Sequence, residues 1–207
     1  MIPVTPQPEP ASFYRTVRQP GLAWLNDKKS AIKGRGYNIN NPLPKVRGYF
    51  PPYWRNCLND LHKSYAGICA YLAVYIERAT GATSADHFVA KSADAGLAYE
   101  WSNYRLACLA MNARKRAFDD VLDPFTLPPD VFRLELVSGR IFINPAITGP
   151  LADAAKDTLE RLKLDSPNNR SMRSRHYQNY TQSDISAAHL CKMSPFVWQE
   201  AQRQGLL

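Results

Sequence analysis

The chain has 207 residues, 45% of them hydrophobic, enough for one well-filled core and too apolar for wholesale disorder. Its formal net charge is +8 and its pI near 9.4, a balance that favours a polyanionic partner, because each Lys or Arg set against a phosphate releases condensed counterions. The longest apolar run, Ile68 to Ile76, is too short to cross a bilayer, and MIPVTPQPEP lacks the basic-then-apolar order of a secretory signal, so a cytoplasmic protein with no membrane partner is expected.

Nine of the sixteen prolines fall within residues 1–52. Proline fixes its own φ and has no amide donor, which predicts an extended basic arm with at most short elements. Lys28, Lys29, Lys33, Arg35, Lys45 and Arg47 alternate there with Trp24, Tyr37 and Tyr49. Two readings stay open: a solvated tail wrapped on the core, or an arm that touches a phosphate backbone or a protein partner.

In YWRNCLNDLHKSYA (53–66), Trp54, Cys57, Leu58 and Leu61 share a helical stripe, with Gly67 as the stop and His62 on the surface. Periodicity leaves 70–77 open between strand and buried helix, with composition leaning to helix. Asp86 to Val89 fits a short strand, 90–98 a polar loop, Tyr104 to Cys108 a second strand, and Met111 to Ala117 a helix opening at Asn112. On that helix Asn112, Lys115 and Arg116 would share one face and look at one anion.

Val121 to Asp130 reads as a proline-rich connector, and 132–144 as a β-hairpin around Ser138-Gly139. Helices are expected over 148–164, over the Arg-rich 166–180 and from Ser194-Pro195 onward. The four cysteines are widely spaced with no CxxC pair, which suits reduced thiols better than a disulfide framework.

Asp86 beside His87, Asn103 sixteen residues on, Asn112 nine further and Lys115 form a set suited to phosphodiester hydrolysis. That reaction needs a hard cation on oxygen ligands and a base for the attacking water. Asp86 and Asn112 can supply the oxygens and His87 the base.

The order YWR, GICAY, DHF, K-S, YEWSNYRLAC, N and K over residues 53–126 resembles the HNH (ββα-metal) endonucleases in the variant with Asn as its third signature residue. It is close to the stand-alone bacterial HNH proteins of the Septu and retron-associated anti-phage systems. The resemblance implies Asp86 and Asn112 as ligands of one Mg²⁺ or Mn²⁺ ion and His87 as general base. It implies Asn103 as the residue orienting the histidine loop, and Lys115 as a cation able to face the phosphate. Arg105, Arg114, Arg116, Arg170, Arg173 and Arg175 are expected to contact nucleic acid, DNA foremost.

Two positions depart from that family. Its CxxC knuckles read here as Cys69-Ala-Tyr-Leu72 and Cys108-Leu-Ala-Met111, one cysteine each, so no structural zinc is expected. The alternative is that Cys69 and Cys108 meet a histidine and still bind metal. Ala90 stands where the family has proline.

The expected architecture is α+β: a small ββα-metal unit (53–126) in a mostly helical single domain, a proline-rich arm (1–52), and a hairpin-plus-helix extension (127–207). The expected function is a metal-dependent endonuclease, an anti-phage effector by resemblance. Two other classes stay in play: a catalytically silent nucleic-acid-binding subunit, and an interaction protein that cuts only with an ATPase or other defence partner. One HNH site cuts one strand, so a double-strand break calls for a homo-oligomer or two visits.

Overall fold

A computed structural model describes residues 1–33 and 50–207, with backbone alone for 28–33. The expectations at Lys28, Lys29, Lys33, Arg35, Tyr37, Lys45, Arg47 and Tyr49 lie outside the described side chains. Helix α1 (Gln19–Lys33) follows a π-helical turn at Tyr14–Arg18, so residues 14–33 are helical where an extended arm is expected, while residues 1–10 have no regular secondary structure. Pro20 sits where the π-helical turn passes into α1. Phe13, Val17 and Leu25 are buried, and Phe13 packs edge-on against Trp101 and Tyr104 at 5.5 and 5.7 Å. Burial of that apolar stripe outweighs the proline bias. Gly21 permits close approach: a Cβ there would lie 2.2 Å from the Tyr99 ring.

A 3₁₀ turn at Tyr53–Cys57 leads into α2 (Leu58–Ser64), so the expected helix divides in two. Left-handed Ala66 and Gly67 end it, as the glycine forecasts. His62 is half-buried rather than on the surface; its Nε2 lies 3.1 Å from the Ile76 carbonyl. Residues 67–76 form a tight loop, not a helix: Ile68 bridges Tyr75, Cys69 N–H donates to the Val74 carbonyl, and Ala73 has φ +52°. This fold-back drives Tyr71 fully into the interior.

Strands β1 (Thr83–His87) and β2 (Tyr104–Cys108) form an antiparallel ribbon with Asp86 opposite Arg105 and His87 opposite Tyr104. Helix α3 (Leu109–Lys115) follows directly and packs on both strands. A second ribbon, β3 (Phe132–Glu135) and β4 (Arg140–Ile143), is the expected hairpin. Gly139 in its turn has φ +70°, and a Cβ there would meet the Arg170 carbonyl at 2.1 Å.

Four helices close the chain: α4 (Pro150–Leu162), α5 (Pro167–Thr181), α6 (Ala187–Met193) and α7 (Pro195–Arg203). Three open on proline, and α6 is capped by Ser186, whose oxygen accepts from the His189 amide. Among the described residues the protein is thus α+β, seven α-helices around two two-stranded antiparallel sheets. No described helix is long and apolar enough to cross a membrane.

Candidate functional site

Successive residues of a strand leave on opposite faces, and this separates Asp86 from His87. Asp86, 1% exposed, shares its side of the ribbon with Tyr71, Arg105 and Lys115. Tyr71 donates its hydroxyl to Oδ2 at 2.5 Å, and Lys115 Nζ stands 3.6 Å from the same oxygen. Oδ1 takes no hydrogen bond among the described residues. Burial raises the Asp86 pKa from its ordinary value, against the pull of the Lys115 ammonium and the Tyr71 hydroxyl.

His87 is 6% exposed and boxed by aromatic edges, Trp54 at 4.8 Å and Tyr104 at 5.0 Å. Its Nε2 is 2.9 Å from the Ala98 carbonyl, which also accepts from the Tyr104 hydroxyl. A carbonyl only accepts, so Nε2 carries the proton and the lone pair is on Nδ1. Nδ1 makes no hydrogen bond among the described residues, nor is it a buried atom lacking a partner. Burial first, then the Lys91 charge, hold the imidazole pKa down at about 3, so the ring is neutral at physiological pH.

Asn103 fastens the loop between the strands. Its oxygen accepts from Val89 N–H at 2.8 Å, and its amide donates to the Val89 and Leu97 carbonyls, both at 3.0 Å. All of its side-chain bonds stay within the segment that carries the Ala98 acceptor of His87. Asn112, half-buried one turn before Lys115 on α3, makes no side-chain hydrogen bond among the described residues.

The expected face of Asn112, Lys115 and Arg116 does not form. Arg116 lies beyond the end of α3 with φ +51° and is exposed. Lys115 is fully buried and donates to the Phe88 and His87 carbonyls at 2.8 and 3.2 Å. Those bonds, with Asp86, commit its ammonium inward, so it does not face a phosphate. Burial lowers its pKa, and Asp86 opposes the shift.

The arginines divide in the same way. Arg105 is buried, grips Asp123 through two 2.7 Å bonds and lies 3.4 Å from the Phe125 ring centroid. Arg173 is buried and bonds the Gly139 and Leu164 carbonyls. Neither can meet a phosphate from these positions. Arg114 closes the end of α4 through the Leu162 and Lys163 carbonyls, and Arg170 pairs with Asp165. Arg116 and Arg175 keep exposed side chains.

Cys69 and Cys108 do meet, the Cys108 amide donating to Cys69 Sγ at 3.5 Å. Among the described residues no cluster of three or more His, Cys, Asp or Glu side chains could hold a metal. Leu72 and Met111 are buried beside them. Asp86 Oδ1 and the Asn112 amide oxygen are the two oxygens of the expected ligand pair, and neither takes a hydrogen bond among the described residues.

Three contributors are given no role by the sequence: Tyr71 on Asp86, Asp123 on Arg105, and Lys91, whose ammonium lies 4.3 Å from the Trp54 ring centroid. Asp123 sits in the proline-rich connector, where nothing but an acidic residue before Pro124 marks it. No family model matches the sequence, and no curated protein matches it either.

Proposed function

We propose that the chain is a metal-dependent endonuclease of the HNH kind, hydrolysing the phosphodiesters of a nucleic acid, DNA being the substrate tested first. The observation that carries this reading is the state of His87: one ring nitrogen is fixed on the Ala98 carbonyl, and the other is neutral with its lone pair uncommitted. An imidazole held in one tautomer, with its second ring nitrogen free to accept, suits a general base for water.

In this reading His87 Nδ1 takes the proton of the attacking water. Asn103 keeps the 88–98 segment in place, so that the Ala98 carbonyl holds the ring. Asp86 and Asn112 would hold one Mg²⁺ or Mn²⁺ ion, which supplies Lewis-acid relief of charge on the scissile phosphate and the leaving oxygen. Lys115 fixes Asp86 and the end of β1 from within. Arg116 and Arg175 are the two expected phosphate contacts that stay exposed.

Metal titration of cleavage tests the ligand set. Asp86→Ala and Asn112→Ala are expected to move the Mn²⁺ requirement to higher concentration; superimposable titration curves would remove both from the ion.

One observation favours a second reading, a silent nucleic-acid-binding subunit. Asp86 already has a cation beside it in Lys115, and both Asp86 and His87 are more than nine-tenths buried. Retention on DNA with no nicking under either ion would support that reading. Silence alone, with cleavage on co-expression with a defence partner such as an ATPase, would mark an assembly-dependent enzyme.

A further inference from the structure

A phosphodiesterase gains from a cation set beside the scissile phosphate, and Lys115, buried and bonded on three sides, cannot supply it. Lys91 is placed differently. It stands half-exposed four residues after His87, on the loop fastened by Asn103. Its ammonium lies 4.3 Å from the Trp54 ring centroid, and the same ring meets His87 edge-on at 4.8 Å. It has no ion pair and no hydrogen bond among the described residues.

An aromatic face is a weaker and less directional partner than a carboxylate, so an ammonium kept there can pass to a phosphate oxygen.

We propose that Lys91 contacts the phosphate of a nucleic-acid substrate beside His87, and that Trp54 positions its ammonium for that contact. The inference rests on the nuclease reading and replaces Lys115 with Lys91 as the cation at the phosphate. No bond to Lys91 forms or breaks; it stays protonated and offsets charge on the phosphate oxygens.

The test uses the full chain and a fluorescein-labelled DNA duplex. Cleavage is measured under Mn²⁺, and binding in EDTA across a salt series. Lys91→Gln is expected to lower kcat/KM about 10²-fold, the cost of losing one charge-stabilising donor. It should also reduce the slope of log affinity against log salt by about 0.9, one phosphate contact. Lys91→Arg should recover most of both. Trp54→Leu should lose the same activity while Trp54→Phe keeps it, a split that distinguishes ring-face positioning from simple packing. Wild-type turnover by Lys91→Gln overturns the proposal and leaves the nuclease reading intact. Absence of cleavage by the unsubstituted protein, both alone and on co-expression with a defence partner, refutes the nuclease reading. The binding arm then decides on Lys91: an unchanged salt slope overturns the contact, and a reduced slope upholds it.

Discussion

Lys115→Met separates an internal lysine from one that serves a substrate. Methionine replaces the buried stem at similar volume and removes the ammonium, so the packing loss is small. The Phe88 and His87 carbonyls lose donors at 2.8 and 3.2 Å, and Asp86 loses its cation at 3.6 Å, all in the interior. Removing one partner of a buried ion pair costs about 3–5 kcal/mol. Asp86 limits the loss by taking up a proton, since burial already favours its neutral form. We expect a destabilisation of about 3 kcal/mol, or roughly 6–12 °C in Tm for a chain of this length. Urea unfolding followed by circular dichroism reads it as a shift in midpoint at unchanged m value. The Lys115→Met/Asp86→Asn pair should recover about 1–2 kcal/mol of the sum of the single losses, because the two sites are coupled. A loss below about 1 kcal/mol, or strict additivity, would refute the internal role; 3 kcal/mol lies well outside the scatter of surface substitutions.

Further outcomes follow from the same interior. Asn103→Ala removes bonds to Val89 and Leu97 and should cost about 2–3 kcal/mol, with faster amide exchange at Val89; unchanged protection there would mean that the loop is held by other bonds. Arg105→Lys gives up the two-pronged grip on Asp123 and the stack on Phe125, and should destabilise by about 2 kcal/mol in urea; a neutral effect would show the clamp to be dispensable. The metal-free protein should also lose stability on acidification. Unfolded His87 takes a proton near its ordinary value of 6.5, whereas the folded ring refuses it until about 3. Its contribution is therefore complete above pH 6.5 and is lost as pH falls toward 3, at about 1.4 kcal/mol per pH unit within that window. Asp86, with its pKa raised in the folded state, acts in the opposite sense at the acid end, so the comparison is wild type against His87→Gln. Parallel stability–pH curves for the two would show that the imidazole is not held neutral by burial.

Local signals in this sequence carry the ribbon, the hairpin and helices α2 to α5 and α7, but not α1 or α6. Ser138-Gly139 marks a turn, and prolines open three C-terminal helices. Where tertiary burial decides, local pattern misleads. Phe13, Val17 and Leu25 pull the proline-rich start into the core, and Ala73 takes a left-handed turn that no periodicity reveals. The site was legible as residue types, not as contacts. DHF and WSN locate His87 and Asn103, but charge alone cannot tell a lysine committed to buried carbonyls from one resting on an indole. Lys115 and Lys91 differ in this way. The same limit explains Arg105 and Arg173, whose partners, Asp123 and the Gly139 carbonyl, lie 18 and 34 residues away.

Nicking of supercoiled plasmid in the presence of Mg²⁺ or Mn²⁺, with wild type set beside His87→Ala, tests the central claim most directly. Open circles should accumulate with wild type, stop on chelation, and be absent with His87→Ala, which should still bind DNA. Equal nicking by the two proteins would show that the imidazole at position 87 is not the base.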